Sequence, residues 1–414
     1  MDFCLRFGRL GIIFEIFLEV ILKTKSLVTL KVLSALLAIH AHADSSTTGS
    51  ASGSATIEVQ PGSCVEVNKA LAALPATGGT IKLAAGEFVC DSPIIVDRDN
   101  IAVIGAGSTK TIIRGAVGKP IPVFIIGTVI NALQPDLKAG IPYPKRITRN
   151  ISLSGVSING SYDKQTTQPG HLECWDPLTD SSQSCGKDVG YFIRNNSLTV
   201  RRAEHVRITD IQANRSYSGG IVLEKLNLDI IMDGFSATKN AFDGFAGYET
   251  TASLFKNFKV FENYYSGISV DCDFNGNVFE DGTASKNGDN GVFSADVSNN
   301  IYRRLKVVDN ANLGFYIDGM RTPAPEMKPV PGTCDNNEIH DTIISGPKFG
   351  IQINFPCKGI VINRTKIRQP KLECLSLFPG GLEISITGST CSDSMKEISL
   401  DNKSHRISNA PAPL

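Results

Sequence analysis

Short runs of alternating apolar and polar residues recur along the second half of this 414-residue chain. Ile268 and Val270 alternate with Ser269 and Asp271, and Phe315 and Ile317 alternate with Tyr316 and Asp318. Successive side chains of a strand leave on opposite faces, so the apolar members are expected to point inward and the polar ones outward. Each run follows a glycine, at positions 220, 244, 267, 291, 314 and 350, giving steps of 24, 23, 24, 23 and 36 residues. Asn240, Asn263, Asn287 and Asn310 stand four residues ahead of four of these glycines, each three residues after Ala237, Val260, Ala284 or Val307. A fixed period of this size marks a solenoid, in which each coil buries its apolar residues only by stacking them on the next. The expected fold class is therefore all-β. Asparagine suits the turn because it tolerates left-handed φ and its amide can bond its counterpart one coil away. Glycine is expected to supply the following bend without a Cβ.

The rest of the chain is read against this period. The segment Cys64–Leu74 has the apolar spacing of an amphipathic helix that caps the open end of the stack. Gly190-Tyr191-Phe192-Ile193 reads as an earlier coil whose turn is swollen by an insertion at 160–189, and a second insertion occupies 319–335. The solenoid domain is placed at 57–395, after a Ser/Gly/Thr-rich leader at 44–56 and before a tail at 396–414. Residues 1–43 read as a signal peptide, since Lys23 and Lys25 precede the apolar run from Val32 to Ile39 and small residues flank His42 at Ala41 and Ala43. A signal anchor is the alternative, although Glu15 and Glu19 interrupt the earlier run from Ile12 to Leu22. Export to an extracellular or envelope location also fits the nine cysteines beyond residue 43. Proximity in sequence pairs Cys64 with Cys90, Cys174 with Cys185, Cys334 with Cys357 and Cys374 with Cys391, leaving Cys272 as a buried thiol.

At this point the chain resembles a known group. Gly78-Gly79-Thr80-Ile81-Lys82-Leu83, then Gly86-Glu87-Phe88, then Asn100-Ile101-Ala102-Val103-Ile104-Gly105 look like the opening coils of pectin-lyase-like proteins. The asparagine–glycine coils extend the resemblance over roughly residues 57–395. It implies a right-handed parallel β-helix solenoid with an N-terminal capping helix. For function it implies less, because that superfamily includes lyases, hydrolases, epimerases, esterases and adhesive proteins. The polygalacturonase-like Asn-Thr-Asp, Asp-Asp and Gly-His-Gly motifs are absent, and so is the Asp-Pro-His-Asp of mannuronan epimerases. Arg321-Thr322-Pro323 lacks the second arginine of the pectate-lyase-like Arg-x-Pro-x-x-Arg motif. No catalytic residue carries over, so the site is argued from geometry.

Four residues after each glycine runs an outward column of Arg194, Glu224, Tyr248, Asp271, Ala295, Asp318 and Asn354, with Glu249, Asp273 and Asp296 just beyond it. Glycosidic cleavage needs one protonated and one ionised carboxyl, and Asp271, Asp273, Asp296 and Asp318 offer both adjacent and alternate coil spacings. Like charges this close repel, so a raised pKa is expected among them unless a cation relieves it. Their oxygens also have the chemistry of a Ca²⁺ site, so Ca²⁺ is a candidate cofactor with no ligand set assigned. Phe293 and Tyr316 offer outward rings to sugars, and Arg194, Glu224 and Tyr248 are candidate substrate contacts beside them. His171 and Trp175, in the first insertion, either lean over the groove or pack it. Lys plus Arg equals Asp plus Glu at 41 each, which gives no global field toward nucleic acid or an anionic membrane. The reading is a secreted, monomeric protein that binds a polysaccharide and cleaves it as a hydrolase. The alternatives are a Ca²⁺-assisted lyase or epimerase of uronic-acid polymers, and a non-catalytic glycan-binding surface protein.

Overall fold

A computed structural model describes residues 55–129, 146–162, 173–177, 179–184, 192–321, 330–354, 356–378, 383–392 and 405–408. The alternation seen in sequence becomes a parallel β-helix of about 12 turns, with one helix among the described residues, near the N-terminus. Coil after coil gives one strand to a ten-stranded parallel sheet running from Ile94–Val96 through Ile268–Asp271 to Glu373–Leu377. The remaining strands join a second sheet of 23. In that sheet, strands such as Ala203–Asn214 and Asn227–Thr238 pass a corner through Asp210 at φ 49° and Gly234 at φ 69°.

The register follows the glycine period. Phe245 pairs with Ile268, Ile268 with Val292, Val292 with Phe315 and Phe315 with Ile351. Ile268, Val270, Phe315 and Ile317 are fully buried, as the alternation requires. Each contributes about 1.5–3 kcal/mol of hydrophobic stabilisation. Aromatic rings fill the wider coils, with Phe279 and Tyr302 stacked at 5.6 Å and an interplanar angle of 8°. The Tyr302 hydroxyl donates to Ser294 Oγ at 3.1 Å, which satisfies two inward polar groups at once.

The asparagine turn works through its amide. Asn240, Asn263 and Asn287 each donate Nδ2 to the Oδ1 of the next asparagine, at 2.9, 3.0 and 2.8 Å. Each Oδ1 also accepts the backbone N–H of the asparagine one coil back, at 3.1 to 3.2 Å. Left-handed backbone is carried by the residue before each asparagine, namely Lys239, Glu262, Lys286 and Asp309, rather than by asparagine itself. The glycine requirement also has a different cause from the expected bend. A Cβ on Gly244 would lie 2.5 Å from Asn263 Nδ2, and one on Gly267 would lie 2.6 Å from Asn287 Nδ2. Glycine is there to let the ladder amide approach. A second ladder, with no counterpart in the sequence reading, links Ser253, Asn277, Asn300 and Asn337 through backbone N–H to Oδ1 bonds of 3.0 to 3.1 Å.

Asn263→Ala should cost about 2–4 kcal/mol in urea unfolding, because it strips partners from buried donors and acceptors on both neighbouring coils. A loss within error of zero would contradict the ladder's role.

The helix Cys64–Ala73 caps the stack, with Ser63 accepting from Val65 N at 3.2 Å and Cys64, Val67, Ala70 and Leu71 buried. The pairs Cys64–Cys90, Cys334–Cys357 and Cys374–Cys391 form as expected. Cys272 is disulfide-bonded, not the buried thiol expected. It is left over only because nine cysteines is an odd number, and pairing by closeness in sequence does not decide which one stays unpaired. Cys174 is also disulfide-bonded, while Cys185, its expected partner, lies outside the described residues.

Candidate functional site

The outward face of the ten-stranded sheet carries the predicted column, with one correction. Leu198 pairs with Ile221 and Arg201 with Glu224, so the coil ahead of Glu224 is Leu198–Arg201 and its column residue is Arg201. Arg194 instead belongs to Ile193–Arg194, which pairs antiparallel with Glu173–Asp176, itself paired antiparallel with Ser181–Ser184. The insertion ahead of it breaks the period, and Asn195-Asn196-Ser197 leads into the coil; Gly190 lies outside the described residues. Arg194 still approaches the column from this ribbon, with its guanidinium 5.6 Å from the Phe242 ring centroid.

From Glu224 onward the column stands as read. Tyr248 pairs with Asp271 and Ala295 with Asp318, and Asn354 follows on the next coil. Asp271 and Asp318 are both half-buried, with the small side chain of Ala295 between them. Two inter-strand steps put their Cα positions about 10 Å apart. Asp271 Oδ1 accepts from Cys272 N at 2.7 Å. Asp318 Oδ2 accepts from the Tyr316 hydroxyl at 2.6 Å and from Asn354 Nδ2 at 3.0 Å, which fixes the carboxylate's orientation. Burial and that carboxylate hold the Tyr316 hydroxyl protonated far above its ordinary range. Phe293 and Tyr316 stack on this face at 5.2 Å and 13°.

The other two expected carboxylates are placed differently. Asp273 is exposed, at a left-handed corner beyond the column. Asp296 is 2% exposed and its Oδ1 accepts Thr333 N at 2.8 Å. A Cβ on Gly332 would sit 2.0 Å from that same oxygen. Asp296 therefore anchors the returning end of the second insertion, where Val330–Pro331 pairs antiparallel with Met320–Arg321. Trp175 is 5% exposed and donates Nε1 to Asp180 Oδ1 at 2.8 Å, which ties it into its own ribbon. His171 lies outside the described residues.

Upstream, the face carries charges that water does not reach. Arg201 and Glu224 are 0% and 4% exposed, with Nη1 and Oε1 3.4 Å apart. Lys225 and Glu249 are buried at the corner beside them, both in left-handed backbone. Tyr248 is pushed up to about 12, first by burial. Asp243 was not singled out in sequence and is the carboxyl that burial pushes up most clearly, to about 7. Ser266 N at 2.8 Å, Arg194 and Ser269 pull it back in part. The only sequence signal for it was its place directly before a repeat glycine. Arg303 and Arg304 are bound to Glu280 and Asp281 at the edge of strands of the 23-stranded sheet and do not line this face.

Asp243 gives a signed prediction. The unfolded carboxyl ionises near its ordinary 3.8 and the folded one near 7. Ionisation therefore penalises the folded state increasingly as pH rises through that window, and fully above it. Asp243→Asn should melt higher than the wild type at pH 8 and alike at pH 3.5. A difference that is the same at both pH values would contradict this placement.

A family model described as "Right handed beta helix region" matches residues 244–402. With the fold described above, the chain is a right-handed parallel β-helix. No curated protein matches this β-helix. Among solved structures it resembles the A-module of Azotobacter vinelandii mannuronan C-5 epimerase AlgE4, with a TM-score of 0.51 and 17% identity over 80% of this chain and 83% of that one. It also resembles a family 28 exopolygalacturonase of Yersinia enterocolitica, with a TM-score of 0.54 and 11% identity over 81% of this chain and 73% of that one. At such identities the likeness is one of fold. Among the described residues no group of His, Cys, Asp and Glu has the arrangement of a metal site.

Proposed function

We propose that this β-helix binds a polysaccharide along the outward face of its ten-stranded sheet and hydrolyses it, with Asp271 and Asp318 as the acid–base pair. The carrying observation is the pair of half-buried carboxylates on alternate coils, separated by Ala295 and flanked by the stacked Phe293 and Tyr316. A sugar ring rests its C–H face on these aromatics, and the glycosidic oxygen lies over Ala295. One carboxylic acid gives its proton to the leaving oxygen. The other carboxylate takes a proton from water as that water bonds to the anomeric carbon. Backbone positions about 10 Å apart leave room for that water between the two side chains, as inversion at that carbon requires. The two fold relatives named as a mannuronan epimerase and an exopolygalacturonase support the substrate class. The disulfides Cys64–Cys90, Cys334–Cys357 and Cys374–Cys391 support an oxidising, extracellular setting. Among the described residues no helix is long and apolar enough to cross a membrane.

A second reading rests on Arg194, whose charge acts on both Tyr248 and Asp243 at the upstream end of the column. A cation there suits a uronate carboxylate, and β-elimination would follow if a neighbouring base removed the C5 proton. Incubation with pectate, alginate, xylan and β-glucan separates the readings. Hydrolysis predicts new reducing ends without the ultraviolet absorbance of unsaturated uronates. Products with that absorbance would replace hydrolysis by elimination, and retention without products would leave a binding protein.

A further inference from the structure

Exposed aromatic rings gather on a second strip of this molecule, in the turns that lead into the ten-stranded sheet. Tyr264 and Tyr265 are 49% and 37% exposed and lie 5.0 Å apart, ring to ring. Tyr265 meets Phe242 of the preceding coil at 4.6 Å. Arg194 lies over the Phe242 ring, and Tyr217 meets Tyr162 at 5.7 Å. Backbone bonds from Phe242 N to Ser218 O, Tyr265 N to Phe242 O, Asp289 N to Tyr265 O and Asn312 N to Asp289 O fix the register of these turns. On the next coils the same positions hold Gly288 and Asp289, then Ala311 and Asn312, so downstream the aromatic strip ends at the coil that carries Asp271.

The interior does not need these rings, since the cores of those coils are filled by Phe245, Phe255, Phe274 and Phe279. An exposed pair of tyrosines presents flat apolar faces with hydroxyls at their edges. That is the complement of a pyranose, which has an apolar C–H face and a rim of hydroxyls. Aliphatic side chains would suit a protein partner equally well but would not offer this combination. The strip also joins the proposed groove directly. Asp243 follows Phe242 in the chain and is bonded by Ser269, which faces outward two residues before Asp271.

From this we infer that Phe242, Tyr264 and Tyr265 form a second sugar-binding platform, which holds a stretch of the same polysaccharide away from the bond being cleaved. The inference rests on the groove reading above. Binding energy collected away from the reacting bond strengthens capture of long chains and is unavailable to short ones.

The test compares the wild type, the Tyr264→Ala/Tyr265→Ala double variant and the Asp271→Asn/Asp318→Asn double variant. Each is run in affinity electrophoresis through pectate, alginate, xylan and β-glucan gels, with turnover measured on polymer and on short oligosaccharides of whichever polymer retards the wild type. Loss of two stacking rings should weaken retardation about tenfold. It should raise KM on polymer by a similar factor while leaving kcat on short oligosaccharides unchanged. The aspartate variant should be retarded like the wild type. Retardation unaffected by loss of the tyrosines overturns the platform and leaves the groove standing. So does a wild type found to self-associate in sedimentation through these tyrosines while its glycan retention is unaffected by their loss. A wild type retarded by none of the four polymers overturns the platform and the groove together.

Discussion

Ile268→Asp should unfold the protein or destabilise it by more than about 4 kcal/mol, the range reserved for buried unpaired charge. Ile268 is fully buried, and its pairing partners in the neighbouring coils are Phe245 and Val292, which offer no countercharge. In a stack where each coil is stabilised by its neighbours, the damage is not confined to one coil. Lys306→Asp, at an exposed position of the 23-stranded sheet, is the control and should shift stability by no more than about 0.5 kcal/mol. Ser269 faces outward but is no neutral control, because its hydroxyl bonds Asp243. Urea unfolding of the two variants reads the difference, and equal losses would mean that the inward and outward faces are wrongly assigned.

The second large effect belongs to the column. Asp271→Asn and Asp318→Asn should each lower turnover by about 10²–10⁴-fold with folding retained, since a positioned general acid or base contributes on that scale. Asp296→Asn should act otherwise. Its Oδ1 holds Thr333 N in the returning insertion, and an Asn oxygen can still accept that bond, so turnover should stay within a few-fold of wild type. Steady-state kinetics with circular dichroism as the folding control separates the three. Full turnover in both Asp271→Asn and Asp318→Asn would remove the pair from the chemistry.

Sequence made the stack legible because a parallel β-helix repeats its contacts at one chain spacing. Ile268, Val270, Phe315 and Ile317 lie inward, and Asp271 and Asp318 share an outward column, as the alternation indicates. The reading weakened where the period breaks. The insertion before residue 190 hid the true coil, so Arg194 took the place of Arg201. The second insertion hid the backbone donor that occupies Asp296. Asp243 escaped notice because its shift comes first from burial, which depends on the packing around a turn and has no periodic signature. The roles of asparagine and glycine were half legible. The amide ladder was anticipated, but the clash that excludes a Cβ appears only when the next coil is in place.

The most direct test of the groove is a crystal structure of the Asp271→Asn protein soaked with an oligosaccharide of the polymer it degrades. The account predicts sugar rings against Phe293 and Tyr316, with a glycosidic oxygen between position 271 and Asp318. An oligosaccharide seated on the 23-stranded sheet, or one whose glycosidic bonds all lie beyond reach of both positions, would contradict it.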